Sequence, residues 1–332
     1  MPISLNRADE RLRAMVQWLP VPVRGIEVVA GDASRRRYFR IHTPDQSLIA
    51  MDAPPPENPG RFVEVAAKFA GVGVRVPEIH AFEAQRGFVL LEDFGDRSYL
   101  SCLRDDTAGR LYGQALDTLF GLQTRCHVGE AGFPLYTESL LRNELGIFRE
   151  WLLERWLGLA IDPELWHHSM GILVRHALEQ PQVCVHRDYH SRNLMVVEGQ
   201  GPGVLDFQDA VVGPVTYDLV SLLRDCYLSW PREQVAAWRE SYRQRLAGSG
   251  LEIDPELWRR WFDLMGAQRH LKAAGIFARL WVRDRRPGYL ADIPRTLEYV
   301  LAVCLDYEPL RPLGCFLEER VLPAVKVKLC RR

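Results

Sequence analysis

One stretch of this chain limits its possible folds more than any other feature. It contains His186-Arg187-Asp188 and, five residues after the aspartate, Asn193, followed by Asp206-Phe207. Short apolar runs at 194–197 and 203–207 lie on either side of a glycine-containing turn at 198–201, which predicts a small island of β structure. A loop that follows a strand projects its polar side chains in a defined direction, so this stretch is the first candidate for a functional site.

The oxygen-bearing side chains of this pattern suit phosphoryl transfer. That reaction needs a carboxylate that orients and deprotonates the acceptor hydroxyl, and oxygen ligands that hold magnesium against the phosphates. We expect Asp188 to be the catalytic base, and Asn193 and Asp206 to be the Mg²⁺ ligands. The alternative is that all three are ordinary turn or strand-end residues. For His186 we expect hydrogen bonding that shapes the loop, with proton transfer as the other possibility.

The chain changes character along its length. Before residue 95, five short β-type runs accompany one amphipathic helix at 61–70. From residue 98 onward, long helical stretches follow, and the β island is the one interruption. This order predicts an α+β, bilobed fold: a small β-rich nucleotide-binding lobe at 1–95, and a larger, mainly helical lobe at 96–332 that contains the catalytic loop and the acceptor site. The polar link after the last β-type run is the candidate hinge.

Charge and composition disfavour several classes of function. Lys and Arg total 42 against 43 for Asp and Glu, so a net charge of −1 gives no global attraction to nucleic acid or to anionic membranes. No stretch approaches the roughly 20 apolar residues of a membrane-spanning helix, and charged residues stand where a signal peptide needs an apolar run. The seven scattered cysteines include no Cys-x-x-Cys pair, which predicts reduced thiols in a cytoplasmic protein.

The motif, the β-then-α order and a second segment resemble the aminoglycoside phosphotransferase and choline kinase superfamily. That segment is Gly213-Pro214-Val215-Thr216-Tyr217-Asp218-Leu219. The resemblance covers nearly the whole chain and implies a protein-kinase-like fold, ATP as donor, and the roles stated for the motif residues. It also implies that Asp218 begins a helix and braces the active-site loops, although a plain helix cap would do the same physical work. Because no G-x-G-x-x-G loop or A-P-E element is present, a small-molecule acceptor is expected.

The loop between the first two β-type runs is the candidate phosphate cover. Gly31, Ala33 and Ser34 are small enough for backbone N–H groups to approach phosphates closely. Three successive arginines follow, and we expect Arg35 to contact phosphate or an anionic substrate group. The alternative is that these arginines form a solvated face.

The third β-type run departs from the kinase pattern. Met51 stands where a phosphate-binding lysine is expected, so Glu64 on the next helix lacks its usual partner unless an arginine from 35–40 replaces it. The adenine is expected at the hinge, with backbone and apolar contacts. Those contacts are Leu91, Glu92, Asp93, Phe94 and Leu205.

The acceptor is suggested by a closer resemblance. The runs at 31–40, 51–55 and 87–96 are similar to bacterial kinases of cell-wall amino sugars. This implies phosphorylation of the anomeric hydroxyl of N-acetylmuramate and N-acetylglucosamine to 1-phosphates in peptidoglycan recycling, with the missing lysine as a shared trait. Candidate sugar contacts are Arg142, Asn143 and Glu144, for which a solvated helix face is the alternative.

Two other functions stay open at this point. One is a different small-molecule hydroxyl kinase of the aminoglycoside or choline type, which would show an acidic acceptor pocket if its acceptor were a polycationic drug. The other is a nucleotide-binding protein without turnover, motivated by Met51.

Overall fold

The computed structural model describes residues 10–29 and 35–330, and its first part is a five-stranded antiparallel sheet. The strands lie in the order β1-β2-β3-β5-β4, so the fifth strand in sequence is inserted next to the third. A helix, α1 (Glu10–Trp18), packs on this sheet and buries Met15. The strands are β1 (Gly25–Val29), β2 (Arg37–His42), β3 (Ser47–Asp52), β4 (Ile79–Glu83) and β5 (Phe88–Glu92).

Helix α2 (Pro59–Gly71) links this sheet to the rest of the molecule. Its start is fixed by Asn58, whose side chain accepts a hydrogen bond from the Arg61 N–H at 3.1 Å, and by proline in the first turn. Its apolar face buries Phe62 and Phe69. The rings of both residues pack on Phe207, with centroids 4.7 and 5.9 Å apart. The amphipathic helix expected at 61–70 therefore positions the second half of the sequence motif.

Helices dominate the described residues after β5. Two short antiparallel pairs interrupt them: β6 (Gln182–Val185) with β9 (Val211–Pro214), and β7 (Leu194–Met195) with β8 (Gly203–Val204). Strands β6, β7 and β8 lie in the β island expected at 183–207, and β9 follows it. The α-helices are α3 (Tyr99–Cys102), α4 (Asp105–Arg125), α5 (Val128–Ala131), α6 (Glu138–Ile147), α7 (Pro163–Leu178), α8 (Tyr217–Leu223), α9 (Arg232–Gly248), α10 (Pro255–Val282), α11 (Ile293–Asp306), α12 (Arg311–Phe316) and α13 (Leu322–Cys330). A π-helix spans Phe148–Leu157 and another Leu317–Val321, and 3₁₀ turns lie at Pro287–Asp292 and Glu308–Leu310.

Helix α10 is the central support of this part. Asp254 caps it by accepting hydrogen bonds from two N–H groups of its first turn, and neighbouring helices α6, α7, α8 and α11 pack around it. Because it is surrounded, it buries charged side chains as well as apolar ones, Arg269 and Lys272 among them. The α+β prediction of a small β-rich part and a mainly helical remainder is confirmed, while the boundary at residues 95 and 96 stays a prediction.

The cysteines depart from expectation. The end of α4 packs against β6 and brings the Cα atoms of Cys126 and Cys184 to 6.1 Å, and the two residues form a disulfide. The prediction that all seven are reduced thiols is therefore wrong for this pair, because contact across the fold cannot be deduced from spacing. The remaining cysteines of the described chain are free thiols: Cys102, Cys226, Cys304, Cys315 and Cys330. None of the helices in the described ranges is long and apolar enough to cross a bilayer.

Candidate active site

The loop after β6 is held by one buried carboxylate. Asp218, in the first turn of α8, accepts hydrogen bonds from the backbone N–H groups of His186 at 2.6 Å and Arg187 at 3.0 Å. Arg187 has a φ of +79°, in the left-handed region that is unfavourable for a residue with a side chain. The paired hydrogen bonds hold this conformation. Burial raises the pKa of Asp218 to about 7, while the two N–H donors favour its ionised form.

The structure brings Asp188, Asn193 and Asp206 together. The Asn193 amide Nδ2 donates to the backbone carbonyl of Asp188 at 3.0 Å and lies 3.5 Å from Asp206 Oδ2. Asp206 has a φ of +61°, which turns the chain sharply where the short β7–β8 pair ends. All three side chains line one cavity of about 360 Å³, here called the catalytic cavity.

His186 connects the two halves of the motif. It is fully buried, its Nε2 donates to the carbonyl of Leu205 at 3.0 Å, and its Nδ1 accepts from the Asp188 N–H at 3.2 Å. Burial lowers its pKa to about 4, so the ring is neutral near pH 7 and suits one donated and one accepted bond. Since both nitrogens have backbone partners, the geometry favours loop shaping over proton transfer.

Positive charge surrounds Asp188. Burial alone would raise the pKa of its carboxyl group, but nearby Lys272, Arg269 and Arg187, together with His190, outweigh burial and hold the pKa below its usual range. The carboxylate is therefore ionised at neutral pH, as an acceptor of a hydroxyl proton must be.

Glu144 organises two of those cations. Its carboxylate is 3% exposed and pairs with Arg187 and, at 2.9 Å, with Lys272. It also accepts hydrogen bonds from Tyr136 and Gln268. Burial would raise the pKa of Glu144, but the two cations outweigh it. Glu144 thus anchors the arginine that precedes Asp188, a role that its sequence position did not reveal.

The expected sugar contacts do not reach the catalytic cavity. Arg142 is exposed and pairs with Glu138 on its own helix at 2.7 Å, and Asn143 is also exposed. Glu144 faces inward, but its oxygens are taken by the buried ion pairs. We correct the expectation accordingly: for Arg142 and Asn143 the solvated-face alternative fits, and Glu144 is a buried ion-pair partner.

Among the consecutive arginines, Arg36 rather than Arg35 lines the catalytic cavity. The backbone N–H of Arg35 donates to Glu57 at 3.3 Å, whereas the Arg36 side chain bonds the same carboxylate at 3.0 Å. Burial lowers the pKa of Arg36, but Tyr38, Glu57 and Asp206 outweigh it and raise the pKa above its usual value. Gly31, Ala33 and Ser34 lie outside the described residues.

Met51, at the position where a lysine is expected, is surrounded by apolar residues. Met51 is 0% exposed and belongs to the main core cluster that includes α2. Glu64 pairs with Arg61 at 3.3 Å and Lys68 at 2.6 Å on its own helix, so no arginine from 35–40 serves as its partner. Within the described residues, the Lys–Glu pair of kinases therefore does not form between the Met51 and Glu64 positions.

The predicted adenine contacts Leu91, Glu92, Phe94 and Leu205 do not line the catalytic cavity. The N–H of Glu92 donates to the Glu78 carbonyl at 2.8 Å, so this N–H already has a partner, while an adenine at the hinge stays a prediction. Phe94 packs so closely on Gly203 that a Cβ there would lie 2.5 Å from its ring. Asp93 pairs with Arg40 at 2.6 Å, which ties the strand end to β2.

Sequence reasoning missed several charged residues of the catalytic cavity. They are Arg192, Arg269, Lys272 and Arg279. The last three lie on α10 at spacings of three and seven residues, which puts them on one side of the helix. Cations spaced this way along one long helix were the available signal, because a cation that becomes buried needs a partner or a ligand.

Comparisons with known proteins agree with this geometry. Residues 25–261 match the model of the phosphotransferase enzyme family. An N-acetylmuramate/N-acetylglucosamine kinase of Pseudomonas aeruginosa is 46% identical over 90% of this chain and 89% of its own length. A protein of the same name from Pseudomonas putida is 42% identical over 94% of each chain.

Solved structures support the same fold. Choline kinase LicA from Streptococcus pneumoniae superimposes with a TM-score of 0.65 at 11% identity, over 89% of this chain and 97% of its own. An ADP-bound aminoglycoside phosphotransferase gives a TM-score of 0.59 at 14% identity, over 88% and 97%. With a family match that spans most of its length and relatives above 40% identity, the chain belongs to the phosphotransferase enzyme family.

Proposed function

We propose that this chain transfers the γ-phosphate of ATP, with Mg²⁺, to the anomeric hydroxyl of N-acetylmuramate and N-acetylglucosamine. The observation that carries the proposal is the convergence of Asp188, Asn193 and Asp206 on one cavity whose other charged residues are, apart from Asp209, mainly cations. The names of the curated relatives supply the acceptor. The 1-phosphate products would return to peptidoglycan precursor synthesis, and the use of ATP would locate the reaction in the cytoplasm.

Asp188 would act on the acceptor hydroxyl. Its ionised carboxylate accepts a hydrogen bond from the hydroxyl, orients the oxygen toward the phosphate and takes the proton late in the transfer. An anomeric hydroxyl is more acidic than an ordinary alcohol, so a carboxylate of low pKa is a sufficient base. The nearby cations keep that carboxylate charged while it is buried.

Asn193 and Asp206 fit a magnesium ion. Their oxygens are the hard ligands that Mg²⁺ prefers, and the two side chains already lie within 3.5 Å of each other. Gln208 donates to Asp206 Oδ1 at 2.8 Å and fixes the orientation of this carboxylate. When bound, the ion would neutralise charge on the phosphates. Its remaining ligands would be phosphate oxygens and water.

Arg36 would supply the phosphate contact that lysine provides in kinases. It lines the catalytic cavity from the sheet side and is oriented by Glu57, so an Arg–Glu pair stands in for the missing Lys–Glu pair. Residues 1–95 would then form the nucleotide-binding lobe, and residues 96–332 the lobe that holds the acceptor.

The charge of the cavity argues against a polycationic drug as acceptor. Its carboxylates are Asp188, Asp206 and Asp209, of which the first two have assigned roles in the transfer. The cations around them would repel an aminoglycoside, whereas a neutral or anionic sugar meets no such penalty.

A labelled-phosphate assay tests the proposal. The unmodified protein, Mg²⁺ and radiolabelled ATP are incubated with N-acetylmuramate, N-acetylglucosamine, an aminoglycoside or choline, and the labelled carbon is identified. We expect label at the anomeric carbon of the two amino sugars. Label on the 6-hydroxyl would reject the anomeric assignment, and label on the aminoglycoside or choline alone would reject the acceptor class. ATP binding without any labelled acceptor would favour a nucleotide-binding protein without turnover.

A further inference from the structure

Two cations of the catalytic cavity are unused by phosphoryl transfer. Arg192 and Arg279 line the cavity together with Asp188, beside the aromatic side chains of Tyr227 and Tyr289. They are separate from Arg36, which extends from the sheet side. Their position at the end of the cavity formed by α10 and the catalytic loop is where an acceptor, rather than the nucleotide, would lie.

The other cations of this cavity already have partners. Lys272 pairs with Glu144 at 2.9 Å and donates to the Tyr217 hydroxyl at 3.1 Å. Arg269 is buried and contacts the Cys226 sulfur at 3.6 Å. These two cations act on the fold and on the charge of Asp188. Arg192 and Arg279 are therefore the cations left for a ligand.

Arg192 packs against two aromatic rings. Its guanidinium carbon lies 3.8 Å from the centroid of Tyr227 and 5.0 Å from that of Tyr289. It forms no ion pair with any residue in the described ranges, and the carboxylate of Asp292, which feels its charge, pairs with Arg295 at 3.3 Å. Contact with two aromatic rings restricts the movement of a guanidinium, and its forked N–H donors suit a planar carboxylate.

Arg279 likewise forms no ion pair within residues 10–29 and 35–330. Its Nε is buried and has no hydrogen-bond partner among residues 10–29 and 35–330. The nearby acids are engaged by other arginines: Asp284 by Arg283 at 2.8 Å, and Glu150 by Arg155 at 2.8 Å. Burial and the charge of Arg283 lower the pKa of Arg279. A buried N–H of a cation without an acceptor costs stability, and a bound anion would remove that cost.

We propose that Arg192 and Arg279 form a carboxylate subsite for the acceptor. The inference rests on the proposed function and deepens it. N-acetylmuramate carries a lactyl carboxylate on its third carbon, and N-acetylglucosamine has a hydroxyl there. The two arginines therefore set the preference between these sugars, while Asp188 acts equally on the anomeric hydroxyl of each.

The test compares the two sugars in matched variants. In Arg279→Gln and Arg192→Gln we expect kcat/KM for N-acetylmuramate to fall by about 10- to 100-fold, the usual effect of a hydrogen bond to a charged group, while the value for N-acetylglucosamine changes by less than about threefold. Arg245→Gln is the control, because this arginine pairs with Asp117 at 2.6 Å, away from Arg279, and does not line the cavity. It should change neither value.

A second arm needs no substitution. The unmodified protein is assayed with the carboxamide of N-acetylmuramate, which keeps the size of the lactyl group but not its charge, and we expect it to lose as much as the variants do. An equal loss for both sugars in the variants, or full activity with the carboxamide, would overturn the carboxylate subsite and leave the proposed function intact. Transfer to neither sugar by the unmodified protein would overturn both.

Discussion

The catalytic loop at 186–193 and the third strand, β3, differ in how closely they keep the charged residues of the kinase pattern. The loop keeps the residues that its pattern predicts, and its chain is fixed by hydrogen bonds to Asp218 and by the His186 ring. Strand β3 has a buried methionine where a cation is expected, and the positive charge on the sheet side of the cavity comes from Arg36 instead. Groups that touch reacting atoms are restricted in type and position, whereas a cation for phosphate can be supplied from a neighbouring strand.

The largest expected effect lies in the loop. In Asp188→Asn we expect kcat to fall by at least about a thousandfold, since both the base and the orientation of the hydroxyl are lost. ATP binding, measured by calorimetry, should persist because Asp188 is placed at the acceptor.

Glutamate at the same position is the companion variant. It keeps the charge but displaces it by one methylene group, and we expect it to recover only a small part of the rate. Wild-type turnover in Asp188→Asn would contradict the assignment of the base and shift attention to His190 or Asp209 in the same cavity.

The sequence predicts the local motif of the site but not its long-range contacts, for a physical reason. The H-R-D-x-x-x-x-N pattern and the strand–helix order follow from local spacing, so the motif residues and the elements around them could be predicted. The roles of Glu144 and Arg192 depend on contacts with Lys272 and Tyr289, which lie about a hundred residues away or more, and no spacing reports such contacts. The Cys126–Cys184 pair was missed for the same reason.

A lysine substituted for Met51 in β3 would test whether a cation in this strand can still contact the phosphates. In Met51→Lys we expect the free energy of unfolding to fall by about 2–4 kcal/mol, because an ammonium replaces an apolar side chain in a closed core. Burial lowers the pKa of such a lysine, so the unfolded chain holds its proton to higher pH, and the loss should shrink as pH rises toward 10. Denaturant titration at two pH values measures both effects.

Met51→Leu is the control, with a similar volume and no charge, and should cost less than about 1.5 kcal/mol. If Met51→Lys were as stable as this control and lowered the KM for ATP, the strand would still face the phosphates, and the contrast drawn with the catalytic loop would fail.

The smallest expected effect tests which arginine supplies the positive charge that binds the phosphates of ATP. In Arg36→Met we expect the KM for ATP to rise by about tenfold with a smaller change in kcat, which corresponds to the loss of one charge-assisted contact of about 1.4 kcal/mol. Arg35→Met is the matched control, since the hydrogen bond from its backbone N–H to Glu57 survives the substitution and its side chain does not line the cavity. Steady-state kinetics with ATP varied at saturating acceptor separates the two. If Arg35→Met raised the KM for ATP and Arg36→Met did not, Arg36 would not be the residue that binds phosphate. The phosphate contact on the sheet side of the cavity would then belong to Arg35.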